Sequence, residues 1–339
     1  MRVAFFISDH GFGHLMRQLP VARELIGRGH DVVIVTGPRQ GRYADRYLQG
    51  KEELHICNTD AGIEVVPGTL TIDKGATAEC VRRHTDKWPQ LMASAPDADV
   101  YAVDIVPWAL LEAGERGIPS FLISNFTWME QYEPFLPEEL LGRYRSAFVR
   151  ADRVLYLELA NAPARKLLGD GTDVGFVCRP FDERKVAAIK DSHRNPIVFL
   201  SLGASNSGLD IDIDVTGLPY DFITTGSLKL KGDNVEYLPA DADNTQDYVR
   251  ASDYCIAKAG WSTVSEMMTA GVRSAFIERA DTPEDTMMIA ELKRRGDAVS
   301  VTADELKDMG YVLKKMESHE WRNKGYKNNY GYIADLITR

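Results

Sequence analysis

Apolar runs and amphipathic stretches alternate along the first part of the chain. Val3 to Ile7 reads as a buried strand. Leu15 to Leu25 reads as a helix, with Leu15, Leu19, Ala22 and Leu25 on one face. Gly29 ends that helix, and DVVIVTG is the next strand. DVYAVD, Asp99–Asp104, predicts another strand, Pro107 to Arg116 a helix, and PSFLISN, Pro119–Asn125, a further strand. Such strand–helix–strand alternation implies a parallel sheet with right-handed crossovers.

The pattern pauses at RPFDERKVAAIKDSHRN, Arg179–Asn195, a polar and charged stretch that reads as a linker. It then restarts. PIVFLSLG, YDFITTG, NVEYLP, DYCIAKAG and VRSAFIER read as strands, STVSEMMTAG as a helix, and a last helix of this half runs through Glu291–Arg295. The tail YKNNYGYIADLITR is a late helix. The predicted fold class is α/β, with two Rossmann-like domains facing a cleft. The expected boundaries are a domain at 1–180, a linker at 181–195, a second domain at 196–318, and a C-terminal helix at 319–339 returning to the first domain.

A length of 339 residues suits two domains, and 44% hydrophobic with 27% charged residues describes an ordinary globular chain. The net charge of -10 argues against a nucleic-acid partner but permits a local basic pocket for a phosphorylated small molecule. The four cysteines, Cys57, Cys80, Cys178 and Cys255, form no CxxC pair or zinc spacing, so a reducing, cytoplasmic setting is expected. MRVAFFIS is too short for a signal peptide's apolar core.

In an open parallel sheet, ligands bind beyond the carboxyl ends of the strands. The first such turn holds His10, Gly11, Gly13 and His14. Its glycines allow close backbone approach, and a histidine there can act as a base near neutral pH. Asp104 ends a strand on the same side and could orient that histidine, although an N-cap for the Pro107 helix is the plainer reading. In KAGWSTVSE, Lys258, Gly260, Ser262 and Thr263 open a helix as a phosphate cradle, with Glu266 one turn in. A simple Ser/Thr cap with Glu266 completing it is the alternative. Gly203 and Ser205, in SLGAS, form a second small-residue loop that phosphate could touch. DIDID, Asp210–Asp214, contains D-x-D twice, but its alternation with isoleucine favours an edge segment over a metal site.

With these motifs in hand, the chain resembles the GT-B glycosyltransferases. GHLMRQLPVARELIGRGHDVVIVTG is similar to the opening of UDP-glycosyltransferases and of the lipid II-forming N-acetylglucosaminyl transferases. The resemblance puts the catalytic histidine on His14 and its aspartate partner on Asp104, in VDIVPWALLEAGERGIPSFLISN. AGWSTVSEMMTAGV resembles the family's donor signature, which implies Gly260, Ser262 and Thr263 on the diphosphate and Glu266 on the ribose. ERADTPED resembles the closing Asp-Gln and aligns Asp281 and Thr282 with the donor sugar. Two departures stand out: Lys258 replaces the signature histidine and Thr282 the closing glutamine. DHGFGH, DIVPW and SNFTW also resemble the glycosyltransferase-like N-terminal region of L-arabinokinase, without a kinase half.

The resemblance implies an inverting, metal-independent transfer from a nucleotide-sugar donor, UDP-linked, to an unidentified small-molecule, lipid or glycan acceptor. A lipid acceptor would bring peripheral membrane association. His14 and Asp104 are the catalytic pair. Gly13, Gly203, Ser205, Lys258, Gly260, Ser262, Thr263, Glu266, Asp281 and Thr282 are the expected donor-side residues, and His10, Asn125 and Trp128 the acceptor side. No metal or cofactor beyond the donor is expected. GFGHLMR fits the opening of a nucleotide-sugar hydrolase of the same fold equally well. A catalytically silent nucleotide-sugar binder is the third reading.

Overall fold

A computed structural model of the chain describes residues 1–66, 71–202, 211–226, 228–239, 242–279 and 283–339. The chain divides into two compact units, Met1–Val177 with Asn329–Arg339, and Cys178–Asn328.

The first unit is built on a parallel sheet. Its strands are β1 (Arg2–Ile7), β2 (Asp31–Thr36), β3 (Glu53–Ile56), β4 (Val100–Asp104), β5 (Ser120–Ser124), β6 (Arg153–Leu157) and β7 (Thr172–Gly175), in the order 3-2-1-4-5-6-7. Val3 to Ile7 are fully buried, as expected of a central parallel strand covered on both faces. The Gly13–Gly27 helix follows β1 and buries Leu15, Leu19, Ala22 and Leu25. The Pro107–Arg116 helix has the bounds read from its sequence. The helix Tyr330–Ile337 packs on the Gly13–Gly27 helix through buried Ile333, Ala334 and Ile337, and Arg28 pairs with Asp335 at 2.6 Å.

The second unit has β8 (Ile197–Ser201), β10 (Asp221–Thr224), β12 (Val235–Tyr237), β13 (Tyr254–Lys258), β14 (Arg273–Ile277) and β15 (Ala298–Val301) in the order 12-10-8-13-14-15. A separate parallel pair joins β9 (Asp212–Asp214) to β11 (Lys229–Lys231). In β9, Ile213 is buried while Asp212 and Asp214 are exposed, and Asp214 pairs with Lys231 at 3.0 Å. DIDID is thus an edge strand in its described part, with Asp210 outside the described residues.

The stretch 181–195 is not an open linker. Asp182 caps a helix, Glu183–Ser192, which packs on the Thr245–Ala251 helix of the second unit. The polar composition misled because this helix buries only Val186. Residues 319–328 likewise lie in the second unit, so only the last turns of the chain belong to the first.

Candidate active site

Strand order reverses at two places, between β1 and β4 in the first unit and between β8 and β13 in the second. Chain segments leaving such a pair diverge to opposite sides and leave a crevice at the carboxyl edge. Among the described residues, His14 and Asp104 lie at the first of these edges and Lys258 and Gly260 at the second.

In the first unit, Ile7 lies in register with Asp104, so the loop after β1 runs beside the end of β4. Gly11, at φ 81°, turns that loop, and the helix begins at Gly13. His14 is therefore inside the first helical turn rather than in the turn before it. Its Nδ1 is 2.7 Å from Asp104 Oδ1. Asp104 is no N-cap: the Pro107 helix is preceded by Val106 and has no side-chain cap. Arg17 grips both carboxylate oxygens of Asp104, Nε to Oδ2 and Nη2 to Oδ1, each at 2.5 Å. Gln18 Nε2 donates to Oδ2 at 2.7 Å.

Burial alone would raise the Asp104 carboxyl, but the charges of Arg17 and His14 and their hydrogen bonds outweigh it and hold it at about 2. An ionised carboxylate only accepts, so His14 Nδ1 carries the hydrogen and Nε2 keeps its lone pair. Burial pushes His14 below its ordinary 6.5; Asp104 opposes this and Arg17 reinforces it. The result is a neutral imidazole with a fixed tautomer and an available base nitrogen.

His10 is exposed and stands edge-on to Trp128, with ring centroids 5.5 Å apart. Asn125 and Trp128 are buried and engaged inward. Asn125 Oδ1 accepts from Arg17 at 2.7 Å, and Trp128 Nε1 donates to Asp60 at 2.5 Å. Gly62 has φ 64°, and a Cβ there would lie 2.3 Å from His10 Nδ1, so any larger residue would have to displace the His10 ring.

In the second unit, Lys258 ends β13, Gly260 is the N-cap, and the helix runs Trp261–Ala270. The cap uses no side-chain hydrogen bond, which removes the simple Ser/Thr cap reading. Ser262 and Thr263 lie in the first turn, where helical N–H groups lack acceptors four residues back. Glu266 is buried, and its Oε1 accepts from Arg179 Nε at 2.9 Å. Arg179 is held in turn by the Asp243 carbonyl at 2.6 Å and Thr245 Oγ1 at 2.8 Å. Burial, then Arg279, lowers Lys258 from 10.5. Arg279 itself pairs with buried Asp285, Nε to Oδ2 at 2.7 Å. Gly203, Ser205, Asp281 and Thr282 lie outside the described residues. No group of three or more metal-ligating side chains occurs among the described residues.

Sequence reading missed Arg17, Gln18, Asp60, Arg179, Arg279 and Asp285. Arg17 and Gln18 did carry a signal. They stand three and four residues after His14, hence on its face of the helix. Asp60 and Arg179 sit in polar segments without periodicity.

No protein-family model matches the chain. L-arabinokinase of Arabidopsis thaliana is 26% identical over 295 residues, covering 81% of this chain and 28% of that protein. The chain thus spans under a third of that relative's length. An uncharacterized glycosyltransferase of Methanosarcina mazei is 24% identical and covers 96% of this chain and 92% of its own. Among solved structures, the calicheamicin glycosyltransferase CalG4 is 14% identical, covering 99% of this chain and 97% of its own, with a TM-score of 0.64. Arabidopsis thaliana UGT89C1 complexed with UDP is 16% identical, covering 99% and 98%, with a TM-score of 0.59.

Asp60 generates a prediction. Burial, against hydrogen bonds from Ser8 and Trp128, raises its pKa from 3.8 to about 7. The native state therefore holds this proton between those values while the unfolded chain has lost it, so Asp60 destabilises progressively as pH rises through that window. Asp60→Asn mimics the protonated form. Its melting temperature relative to wild type should rise between pH 4 and pH 8; a constant difference would refute the buried, protonated Asp60.

With near-complete coverage of both chains at these TM-scores, the chain has the fold of the GT-B glycosyltransferases.

Proposed function

We propose that this chain is a glycosyltransferase that moves a sugar from a nucleotide diphosphate sugar, UDP-linked, to a hydroxyl-bearing acceptor. The observation that carries the reading is the neutral His14, its tautomer fixed by ionised Asp104 at the strand-order reversal of the first sheet. The Methanosarcina relative, named a glycosyltransferase over nearly its whole length, and the UDP-bound similar structure support the reaction class and the donor.

The reaction is a single inverting displacement. His14 Nε2 takes the acceptor hydroxyl's proton as its oxygen attacks the anomeric carbon. The bond from that carbon to the diphosphate breaks, and the nucleoside diphosphate leaves. Asp104 orients the imidazole and faces the positive charge that develops on it. The first turn of the Trp261–Ala270 helix, with Ser262, Thr263 and Lys258, meets charge growing on the leaving diphosphate. Lys258 acts there as a point charge. Glu266, steadied by Arg179, accepts from the ribose hydroxyls.

The test is a screen of UDP-, GDP- and dTDP-sugars for binding, then acceptor trials with the best donor. Release of the nucleotide to water without an acceptor would replace transfer by hydrolysis. His14→Ala should lower turnover by about 10²–10⁴-fold, the usual loss with a general base, and leave nucleotide affinity unchanged. Full activity in that variant would overturn the mechanism. Glu266→Gln keeps an oxygen for Arg179 and should weaken UDP binding by about 1.5–3 kcal/mol, measured by calorimetry; unchanged affinity would remove its ribose role. Turnover should survive EDTA, and abolition with rescue by Mn²⁺ would contradict the metal-free design.

A further inference from the structure

A histidine paired with a buried carboxylate alone has a difficulty as a base. The carboxylate favours the imidazolium and so works against the burial that keeps the ring neutral. This site carries an additional cation. Each Asp104 oxygen is used twice, Oδ1 by His14 Nδ1 and Arg17 Nη2, and Oδ2 by Arg17 Nε and Gln18 Nε2. Arg17 is 2% exposed, so water screens its charge little. The rest of its fork is fixed from β5 and the residue after it: Nη2 donates to Ser124 Oγ at 3.2 Å and Nη1 to Asn125 Oδ1 at 2.7 Å. Nη2 also lies 3.0 Å from His14 Nδ1, so a protonated imidazole would bring two cations together.

We propose that Arg17 is a positioning residue: it holds Asp104 ionised and turned toward His14, while its own charge offsets the carboxylate so that His14 rests neutral and able to accept a proton. Two charged groups act on His14 among the described residues, Asp104 from the end of β4 and Arg17 from the same helix; His10, in the loop before that helix, is itself acted on by His14. Only Arg17 both anchors the carboxylate and opposes protonation. The inference rests on His14 being the base of the proposed transfer.

The experiment follows the His14 imidazole by NMR titration of the full chain, its signal assigned by loss in His14→Gln. In Arg17→Gln, His14 should titrate about one pH unit or more above wild type, the scale of an adjacent charge. The acid limb of kcat/KM should move the same way. Arg17→Lys keeps the charge without the fork. It should titrate near wild type but turn over more slowly, because Asp104 loses its two-point anchor. A merely structural arginine would lower turnover in both variants and move neither titration. An unchanged or lower His14 value in folded Arg17→Gln would overturn the proposal. If that variant does not fold, Asp104→Asn is compared with Arg17→Gln/Asp104→Asn. Removing the arginine should again raise His14, and no rise would be decisive against it. Absence of transfer with every donor and acceptor would instead remove the proposed function, while the titration still decides the role of Arg17.

Discussion

Asp104 is an ionised carboxylate with 1% of its surface exposed, and an ion so placed persists only if its oxygens are met by donors and its charge by a cation. Much of the first unit's carboxyl edge is arranged to meet that demand. The register of β1 against β4 brings the loop after Ile7 alongside Asp104. The helix starting at Gly13 then delivers His14, Arg17 and Gln18 on a single face. β5 and the residue after it close the other side through Ser124 and Asn125 on the arginine fork. A buried network of this kind is weak evidence for stability, since apolar replacements often do as well. Its physical content is orientation: His14, Arg17 and Gln18 each direct a donor onto the Asp104 carboxylate, while the Gln18 amide oxygen is left buried without a partner.

The second unit uses the same device differently. Arg179 binds Glu266 under the helix that follows β13, and the arginine is itself held by the Asp243 carbonyl and Thr245. Here the carboxylate is the group fixed on the face of interest, and the cation is its anchor. In the first unit the carboxylate is the anchor, and the histidine is the group fixed. In both, the ion pair joins residues 87 apart in the chain, so segments distant in sequence set the position of one side chain.

That separation explains what the sequence could and could not convey. β1, β2, β4 and β5 were legible because strands covered on both faces read as unbroken apolar runs. β3 was not, since its ELHI segment is half-buried and too short for either period. The His14–Asp104 pairing could be anticipated because both follow the carboxyl ends of strands and a known family supplied the correspondence. Arg17 and Gln18 looked like the polar side of an amphipathic helix, yet both are buried. Arg179 fell in a charged stretch whose helix buries so little that composition alone made it a linker. Asp60 belongs to a loop where no periodicity exists, and its significance lies wholly in burial beside Trp128.

Asp60 and Asp104 also make a comparison that isolates what Arg17 contributes. Both are almost fully buried, both belong to the first unit, and both accept from side-chain N–H groups. Asp60 meets neutral donors, the Trp128 indole and the Gly62 amide at 3.3 Å, and Asp9 nearby adds a like charge. Its carboxyl is pushed up to about 7. Asp104 meets a guanidinium on both oxygens and is held at about 2. Hydrogen bonds alone therefore do not decide ionisation at this depth; a full countercharge does. Where two carboxyls of one unit are driven so far apart, each becomes fit for a different task. Asp60, held near 7, ties the 60–62 turn to Trp128, and the ionised Asp104 is the fixed reference against which a neighbouring imidazole keeps its tautomer.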